Sequence, residues 1–237
     1  MVECEICGFL RIDPIPDQDI INSLYTENSV SEQRLEYEVF SSPFLTTLKK
    51  NIIIKPLLYK LKNRLKDIKN PTLLDIGCAT GWITSNSKDA GFDVLGLEAN
   101  PVIAKYGRDK YGIEIFEGFI EDLDINMKFN AITMFHILEH LTDPLQILKK
   151  VSSHLTDNGK LLIVIPNADS LGVGIFGQFY NWNIPDHISF FSPATISELM
   201  EISGFRVLGI SHLTSPPMLI YSFNKCMDHR KKNGDYG

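Results

Sequence analysis

From Thr72 onward, short apolar segments alternate with amphipathic segments, and this alternation constrains the fold more than any other feature. Short apolar runs are typical of buried strands, while apolar residues spaced three and four apart are typical of helices. The alternation predicts an α/β fold with a parallel sheet. The predicted strands are Thr72–Ile76, Asp93–Glu98, Glu114–Glu117, Ala131–Phe135, Lys160–Ile165 and Arg206–Ser211, and the predicted helices are Trp82–Asp89, Val102–Lys110, Leu145–His154 and Pro193–Ser203.

The most informative segment runs from Leu73 to Trp82, where a predicted strand leads into a turn and then a helix. Gly77 and Gly81 permit positive φ and let a ligand approach the backbone at the carboxyl end of a strand. A dinucleotide-binding turn would read G-x-G-x-x-G and hold a pyrophosphate. Asp75 disfavours an anion at this place. The turn therefore favours S-adenosyl-L-methionine, which carries an ammonium group and a sulfonium centre, over NAD.

Glu98 ends the next predicted strand, Asp93–Glu98. In ligand-binding α/β sheets, an acid about twenty residues beyond the first turn accepts hydrogen bonds from the ribose hydroxyls of an adenosine. The spacing of Glu98 from Gly77 fits this role, so we predict that Glu98 binds the ribose. The alternative is a carboxylate that is simply exposed at the end of a strand.

With these segments the chain resembles the class I S-adenosylmethionine-dependent methyltransferase superfamily over about residues 70 to 212. The matching segments are Asp75–Gly81, Glu98–Pro101, Gly118–Leu123, Phe135–Pro144 and Pro185–Phe191. The last two are similar to those of ubiquinone-biosynthesis-like and polysaccharide-biosynthesis-like members. The resemblance implies a Rossmann-like, doubly wound, mostly parallel sheet with helices on both faces, plus a small irregular or helical N-terminal segment.

The resemblance also implies roles for individual residues. Asp75, Gly77 and Gly81 would frame the methionine moiety, and Ala99 would pack on the adenine. Many relatives carry an adenine-binding acid where this chain has Phe119, so Phe119 would flank the ring instead. The expected cofactor-binding residues are Asp75, Gly77, Cys78, Gly81, Trp82, Glu98, Ala99, Phe119, Ile120 and His136.

The predicted reaction is O- or C-methylation of a small molecule such as a sugar or glycan precursor, with a quinone or phenol as the alternative acceptor. His187 follows the glycine-containing segment Gly172–Gly177, which is expected to cover the pocket. Histidine titrates near neutral pH and suits proton abstraction, so His187 is the predicted base; the alternative is a hinge histidine. The aromatic residues Tyr180, Trp182, Phe190 and Phe191 would surround the acceptor. The same pattern would also suit an inactive cofactor-binding scaffold or, less well, an NAD-dependent oxidoreductase.

Four residues raise the question of a metal ion. His136, Glu139, His140 and His187 match positions where small-RNA 2′-O-methyltransferases, by resemblance, place metal ligands. In the alternative interpretation, His136 lines the cofactor pocket while Glu139 and His140 hold a loop through hydrogen bonds. We assign no metal ligand from the sequence.

The N-terminal residues 1–28 resemble part of a zinc-ribbon-like module found in sugar methyltransferases. Cys4 and Cys7, followed by Pro14 and Pro16, match the second cysteine pair of that module. A structural zinc site wants four ligands, and one pair provides two. We interpret this segment as a remnant that holds no complete zinc site in a monomer.

Residues 43–69 show helical periodicity and carry many lysines, and Pro56 should kink or split this helix. A basic helix of this kind is either a cap with a solvated face or a weak contact with a membrane surface. We therefore divide the rest of the chain into a helical cap (29–70), a cofactor-binding domain (71–212) and a C-terminal extension (213–237).

Charge and composition limit the partners. The net charge of −6 gives the chain no electrostatic footprint for nucleic acid, which favours a small-molecule acceptor. Residues 1–7 carry acids where a secretory signal needs a basic region and an apolar core. Four cysteines in 237 residues do not form a disulfide framework, so we expect a cytoplasmic protein.

Overall fold

A computed structural model describes residues 1–26, 43–123, 127–176 and 187–212. The chain divides into two compact units: the first comprises Met1–Ile15, Glu139–Thr142 and Ile165–Gly237, and the second comprises Pro16–Leu138 and Asp143–Val164. The predicted aromatic residues Tyr180 and Trp182 and the predicted C-terminal extension lie outside the described residues.

The second unit is built on a five-stranded sheet in which every neighbouring pair is parallel. Its strands lie in the order β5-β4-β3-β6-β7. Their bounds are β3 (Thr72–Ile76), β4 (Asp93–Glu98), β5 (Glu114–Glu117), β6 (Phe129–Phe135) and β7 (Leu155–Val164). The chain runs outward from β3 through β4 to β5 and then returns to the other side of β3, so β3 and β6 meet at the switch point where open α/β sheets bind ligands.

Helices connect these strands at the predicted places: α4 (Trp82–Asp89), α5 (Pro101–Tyr111) and α6 (Pro144–Ser153). Asn100 caps α5, because its side-chain oxygen accepts hydrogen bonds from the N–H groups of Val102 and Ile103 at 3.0 and 3.1 Å. Asp143 caps α6 by accepting from the N–H of Gln146. These caps occupy N–H groups that a helix start would otherwise leave unpaired. The prediction of a mostly parallel α/β sheet is confirmed.

The predicted strand Arg206–Ser211 is wrong, since the structure has no strand there. Leu208 and Ile210 are 45% and 47% exposed, so the apolar pattern of this segment is not packed into a core. A strand also needs hydrogen bonds to a neighbour, and within the described residues the parallel sheet ends at β7. Strand β7 itself begins earlier than predicted, because Leu155 pairs with Phe129 at the start of β6.

The predicted helix over residues 43–69 is helical in three parts: α2 (Pro43–Lys49), a π-helical stretch (Lys50–Ile54) and α3 (Lys55–Asn63). The π-helical stretch ends at Ile54 and α3 begins at Lys55, directly before Pro56. This change of helix type agrees with the predicted disruption. Lys50 forms an ion pair with Asp89 at 3.2 Å, and the Nζ of Lys62 donates to the carbonyl of Ala90 at 2.8 Å.

These contacts favour a cap with partly engaged lysines, and contact with a membrane surface stays a prediction. Among the described residues, no helix combines the length and the apolar character needed to cross a bilayer.

In the first unit, two N-terminal strands and one late strand form a small antiparallel sheet. Its strands are β1 (Val2–Glu3), β2 (Leu10–Arg11) and β8 (Ser189–Phe190), in the order β1-β2-β8. The unit also contains α7 (Leu171–Phe176) and α8 (Pro193–Ile202), and α1 (Gln18–Thr26) follows in the second unit. Phe190 and Phe191 are 4% and 2% exposed. The structure therefore places these two predicted acceptor-contacting rings in a core.

Candidate functional site

Strands β3, β4, β5 and β6 of the parallel sheet end at one edge. Ile76 of β3 lies opposite Leu97 of β4 and Met134 of β6, and Leu97 lies opposite Phe116 of β5. The segments that follow these strand ends are Gly77–Trp82, Glu98–Asn100, Gly118–Ile120 and His136, and together they define the carboxyl edge. All ten predicted cofactor-binding residues lie at this edge or, for Asp75, one residue before the end of β3.

The turn after β3 has left-handed backbone at alternate residues. Gly77, Ala79 and Gly81 have φ values of 65°, 48° and 77°. A Cβ atom on Gly77 would lie 2.0 Å from Cδ1 of Ile137, and one on Gly81 would lie 2.5 Å from Cδ1 of Ile113. Glycine is therefore required at both positions by the backbone conformation and by the lack of space. The turn offers a bare backbone that a ligand can approach closely.

Asp75 is 1% exposed, and both of its carboxylate oxygens accept hydrogen bonds from hydroxyl groups. Thr133 on β6 donates to Oδ1 at 2.6 Å, and Thr84 on α4 donates to Oδ2 at 2.7 Å. Burial raises the pKa of Asp75 to about 6, against the lowering effect of the two hydroxyl groups and with a smaller raising effect from the charge of Glu98. Asp75 thus joins β3, β6 and α4.

Sequence reasoning missed the two threonine partners of Asp75. Thr133 carried a usable signal, because it is a polar residue within the otherwise apolar stretch Ala131–Phe135 and a buried hydroxyl needs a partner. No comparable signal existed for Ile137, whose side chain lies against Gly77.

Glu98 is 4% exposed and joins the ends of β3 and β4. Its Oε2 accepts a hydrogen bond from the N–H of Ala79 at 2.9 Å, and its Oε1 accepts one from the N–H of Asn100 at 2.9 Å. Glu98 therefore positions the turn that follows β3.

Cys78 packs inward from the same turn. It is 7% exposed and lies in a cluster with Ala104, Ile113 and Ile115. Burial, followed by the charges of Asp75 and Glu98, raises the pKa of its thiol well above the ordinary value. Such a thiol is inert, so Cys78 contributes packing and its backbone rather than a reactive sulfur.

The remaining predicted residues differ in exposure. Trp82 and Ala99 are half-buried, and Lys49 Nζ lies 5.7 Å from the centre of the Trp82 ring, within the range of a cation–π contact. Phe119 is half-buried and Ile120 is 5% exposed, so both are placed where apolar groups could flank a ring.

His136 is exposed and has φ of 56°, while its N–H donates to the carbonyl of Val164 at 2.8 Å. Left-handed backbone at a residue other than glycine is uncommon, and histidine is among the residues that tolerate it best. Such strained residues concentrate at functional sites. The observation supports a functional interpretation of the residue that directly follows β6.

In the first unit, three side chains gather that could bind a metal ion. The ligand atoms of Glu139, His140 and His187 all lie within 4.8 Å of one another, and we call this group the Glu139 cluster. The rings of His140 and His187 meet edge to face, with centroids 4.7 Å apart. Glu139 and His187 are 1% and 5% exposed, and His140 is half-buried. His136, which the sequence grouped with these residues, is not part of the cluster.

Cys4 and Cys7 lie in a tight turn between β1 and β2. The N–H of Cys4 donates to the carbonyl of Phe9 at 2.9 Å, and the N–H of Gly8 donates to the carbonyl of Cys4 at 2.8 Å. The backbone N–H groups of Cys7 and Ile6 lower the pKa of the Cys4 thiol.

The pKa of Cys7 is raised, because the hydrogen bond with Cys4 and the neighbouring charges outweigh the lowering effect of the Phe9 N–H. Within the described residues, no third histidine, cysteine or carboxylate completes a metal site with these two thiols.

Comparisons with known proteins agree with this geometry. The profile of a family described as a methyltransferase domain matches residues 52–210. Among curated proteins, the ubiquinone biosynthesis O-methyltransferase of Rickettsia prowazekii is 25% identical over 169 residues, which cover 66% of this chain and 67% of that protein. The protein of the same name from Rickettsia felis is 22% identical over 178 residues, covering 70% and 73%.

Solved structures show the same fold. The magnesium protoporphyrin IX methyltransferase of Synechocystis PCC 6803 with bound SAH has a TM-score of 0.66 at 13% identity and covers 84% of this chain and 94% of that one. A possible histamine N-methyltransferase from Thermotoga maritima has a TM-score of 0.57 at 21% identity, covering 75% and 79%. The predicted Rossmann-like class I fold is confirmed.

Proposed function

Because the chain belongs to the S-adenosylmethionine-dependent methyltransferases, we propose that it methylates a hydroxyl oxygen of a small molecule with a quinone-type phenolic ring. The relatives named ubiquinone biosynthesis O-methyltransferase are the observation that carries this choice of acceptor, since they match about two thirds of the chain. Of the two acceptor classes expected from the sequence, they favour the quinone or phenol over the sugar or glycan precursor.

The carboxyl edge fits the cofactor. Left-handed backbone and missing Cβ atoms at Gly77 and Gly81 leave a turn that a ligand can approach. Glu98 lies beside this turn, bonded to the N–H of Ala79, where a carboxylate would meet the ribose hydroxyls of an adenosine. Phe119 and Ile120 would flank the adenine. When bound, S-adenosylmethionine supplies a methyl group on a sulfonium centre.

The protein must orient the acceptor hydroxyl and accept its proton. We assign the second task to His187, since a positioned histidine is the commonest general base. Its neighbours in the Glu139 cluster support the assignment, because a carboxylate and a second imidazole can orient the ring and stabilise the charge it gains.

The proposal is tested by incubating the full chain with S-adenosylmethionine labelled in its methyl group and two panels of acceptors. One panel contains dihydroxyphenols and hydroquinones, and the other contains sugar nucleotides. We expect transfer of the label to phenols with a free hydroxyl and none to the matching methyl ethers, which lack the nucleophile.

Transfer to sugar nucleotides alone would overturn the phenolic acceptor and favour the sugar precursor. Binding of the cofactor by calorimetry without transfer to either panel would contradict the proposal as a whole.

A further inference from the structure

We propose that Glu139, His140 and His187 form a binding site for one divalent transition-metal ion. The three residues offer one carboxylate oxygen and two imidazole nitrogens, and these ligand atoms lie within 4.8 Å of one another. The residues come from two stretches of chain, 139–140 and 187, which the fold of the first unit brings together.

The donor chemistry selects the class of metal. Two histidines with one carboxylate form the ligand set of several catalytic zinc sites and of many non-haem iron sites, whereas magnesium and calcium prefer oxygen ligands. With both imidazoles neutral, the carboxylate gives the cluster one negative charge, which suits a divalent cation. The site therefore favours zinc, cobalt or ferrous iron.

The spacing is within reach of that of a bound site. In a tetrahedral site with ligands about 2.1 Å from the metal, the ligand atoms lie about 3.4 Å apart. The observed limit of 4.8 Å exceeds this value by about 1.4 Å. Rotation of the side chains would close this gap around one ion, and His140 is half-buried rather than fully enclosed.

Backbone contacts hold the two stretches in place. The N–H of Ile188 donates to the carbonyl of Glu139 at 2.8 Å, and the carbonyl of Ile188 accepts from the N–H of Ile12 at 2.9 Å. His187 precedes β8, which pairs with β2 through Leu10 and Arg11. The ligands are thus attached to a sheet and a turn, and less ordering is needed when a metal binds.

Burial adds an electrostatic argument. Glu139 is 1% exposed, and the attraction between a carboxylate and a cation is stronger where water is excluded. A metal with three protein ligands also keeps one coordination position open. Coordination would occupy the lone pair of the His187 nitrogen that accepts the proton, so the base role proposed for His187 applies to the metal-free chain.

The test uses the full chain, freed of metal with a chelator, in a Cys4→Ser/Cys7→Ser background so that these two thiols bind nothing. Co²⁺ is titrated and followed by its visible absorption, and Zn²⁺ is titrated by calorimetry. We expect one ion per chain. His140→Gln should weaken binding by about 100-fold or more, since even loss of a residue that only supports a ligand costs about 10–100-fold.

His154→Gln is the matched control, because His154 is also half-buried but lies outside the cluster, at the end of α6. It should leave the affinity for both ions unchanged. Circular dichroism establishes that each variant is folded. His140→Gln is the deciding variant, because its half-exposed position makes it less disruptive to the fold than Glu139→Gln.

Absence of saturable binding would overturn the proposal, as would equal affinities for the parent, His140→Gln and His154→Gln. Binding of S-adenosylmethionine and methyl transfer are measured on the same metal-free samples. Cofactor binding and transfer without any metal binding would remove the metal site and leave the proposed function intact. Metal binding without methyl transfer would support the metal site and contradict the proposed function.

Discussion

The carboxyl edge and the Glu139 cluster both contain buried carboxylates, but the partners of those carboxylates differ. Asp75 accepts hydrogen bonds from two threonine hydroxyls, and Glu98 accepts them from two backbone N–H groups. Glu139 instead lies beside two imidazole rings, with the ligand atoms of all three residues within 4.8 Å of one another. At the carboxyl edge the acids hold the backbone in shape, whereas in the cluster an acid lies among groups that can bind protons or metals.

This difference shows that burial and residue type do not by themselves identify a reactive group. Asp75, Glu98 and Glu139 are all at most 4% exposed. Only their partners separate a carboxylate that positions a turn from one that can take part in chemistry. The carboxyl edge should therefore respond to substitutions mainly through cofactor affinity and stability, and the Glu139 cluster mainly through turnover or metal affinity.

The largest expected effect concerns the cluster. His187→Ala should lower turnover by about 10²–10⁴-fold, the usual contribution of a general base, while cofactor affinity changes little. His187→Gln keeps a hydrogen-bonding side chain but cannot accept the proton, so it should be as slow as His187→Ala. Turnover is measured with the true acceptor and affinity by calorimetry. Full turnover of the glutamine variant would show that His187 is structural, and the contrast between the two regions would fail.

At the carboxyl edge, Gly77→Ala should destabilise the protein by about 2–5 kcal/mol, because it combines a left-handed backbone with overpacking against Ile137. Gly112→Ala is the matched control, since Gly112 has φ of 58° and open space around its missing Cβ. The free energy of unfolding is measured with denaturant. Adding Ile137→Ala should bring the Gly77 variant close to the control. If both glycine variants lose the same stability, the Ile137 contact is irrelevant.

Glu98→Ala should reduce the binding free energy of S-adenosylmethionine by about 1.5–3 kcal/mol, the range for hydrogen bonds to a charged group. Calorimetry measures the affinity, and thermal unfolding of the free protein accounts for the loss of the bonds to Ala79 and Asn100. Glu117→Ala, at the exposed end of β5, serves as the control. Unchanged cofactor affinity in the Glu98 variant would contradict its assignment to the ribose.

A pH effect separates Asp75 from an ordinary surface acid. Burial raises the pKa of Asp75 to about 6, so the folded state binds this proton more tightly than the unfolded state does. The stability that Asp75 contributes by binding this proton is fully present below its pKa in the unfolded state. It is lost as pH rises through its pKa in the folded state. Relative to Asp75→Asn, the wild type should therefore lose about 2 kcal/mol of unfolding free energy between about pH 4 and pH 7.

Denaturant unfolding at a series of pH values gives this difference directly. Asp93→Asn, an exposed carboxylate at the start of β4, should show no comparable trend. A wild-type curve parallel to that of Asp75→Asn would mean that Asp75 has an ordinary pKa despite its burial.

The smallest expected effect is none at all. Cys4→Ser should not change the zinc content of the purified monomer, because the described residues supply only the two thiols of Cys4 and Cys7 at that turn and a structural site wants four ligands. Metal analysis of wild type and variant measures the difference. Loss of one zinc per chain in Cys4→Ser would give the first unit a second metal centre, and the Glu139 cluster would no longer be its distinguishing feature.

Much of the parallel sheet was predictable because its signals are local. The bounds of β3, β4, β5 and α4 agree with those expected from the sequence, since apolar runs, caps and glycine turns act over a few residues. The prediction failed at Arg206–Ser211, where an apolar pattern had no neighbouring strand to pair with. Propensity indicates a strand, but only a partner creates one.

In the candidate site, too, the local features were predictable and the long-range contacts were not. Gly77, Gly81 and Glu98 could be located from the sequence because they follow strand ends at a characteristic spacing. Their exact partners could not, since the contacts of Asp75 with Thr133 and of Gly77 with Ile137 join residues 58 and 60 positions apart (75 to 133, 77 to 137).

The sequence by itself indicated the backbone of the cofactor turn, because glycine at positions 77 and 81 adopts left-handed φ angles at little cost whatever surrounds it. Tertiary structure alone decided which of four candidate residues gather in the Glu139 cluster: His187 joins Glu139 and His140, and His136 remains at the carboxyl edge. The physical reason is the distance along the chain over which each kind of interaction acts. A dihedral preference belongs to one residue, whereas the distance between side chains 47 positions apart (140 to 187) depends on the pairing of β8 with β2 and on every contact that holds the first unit together.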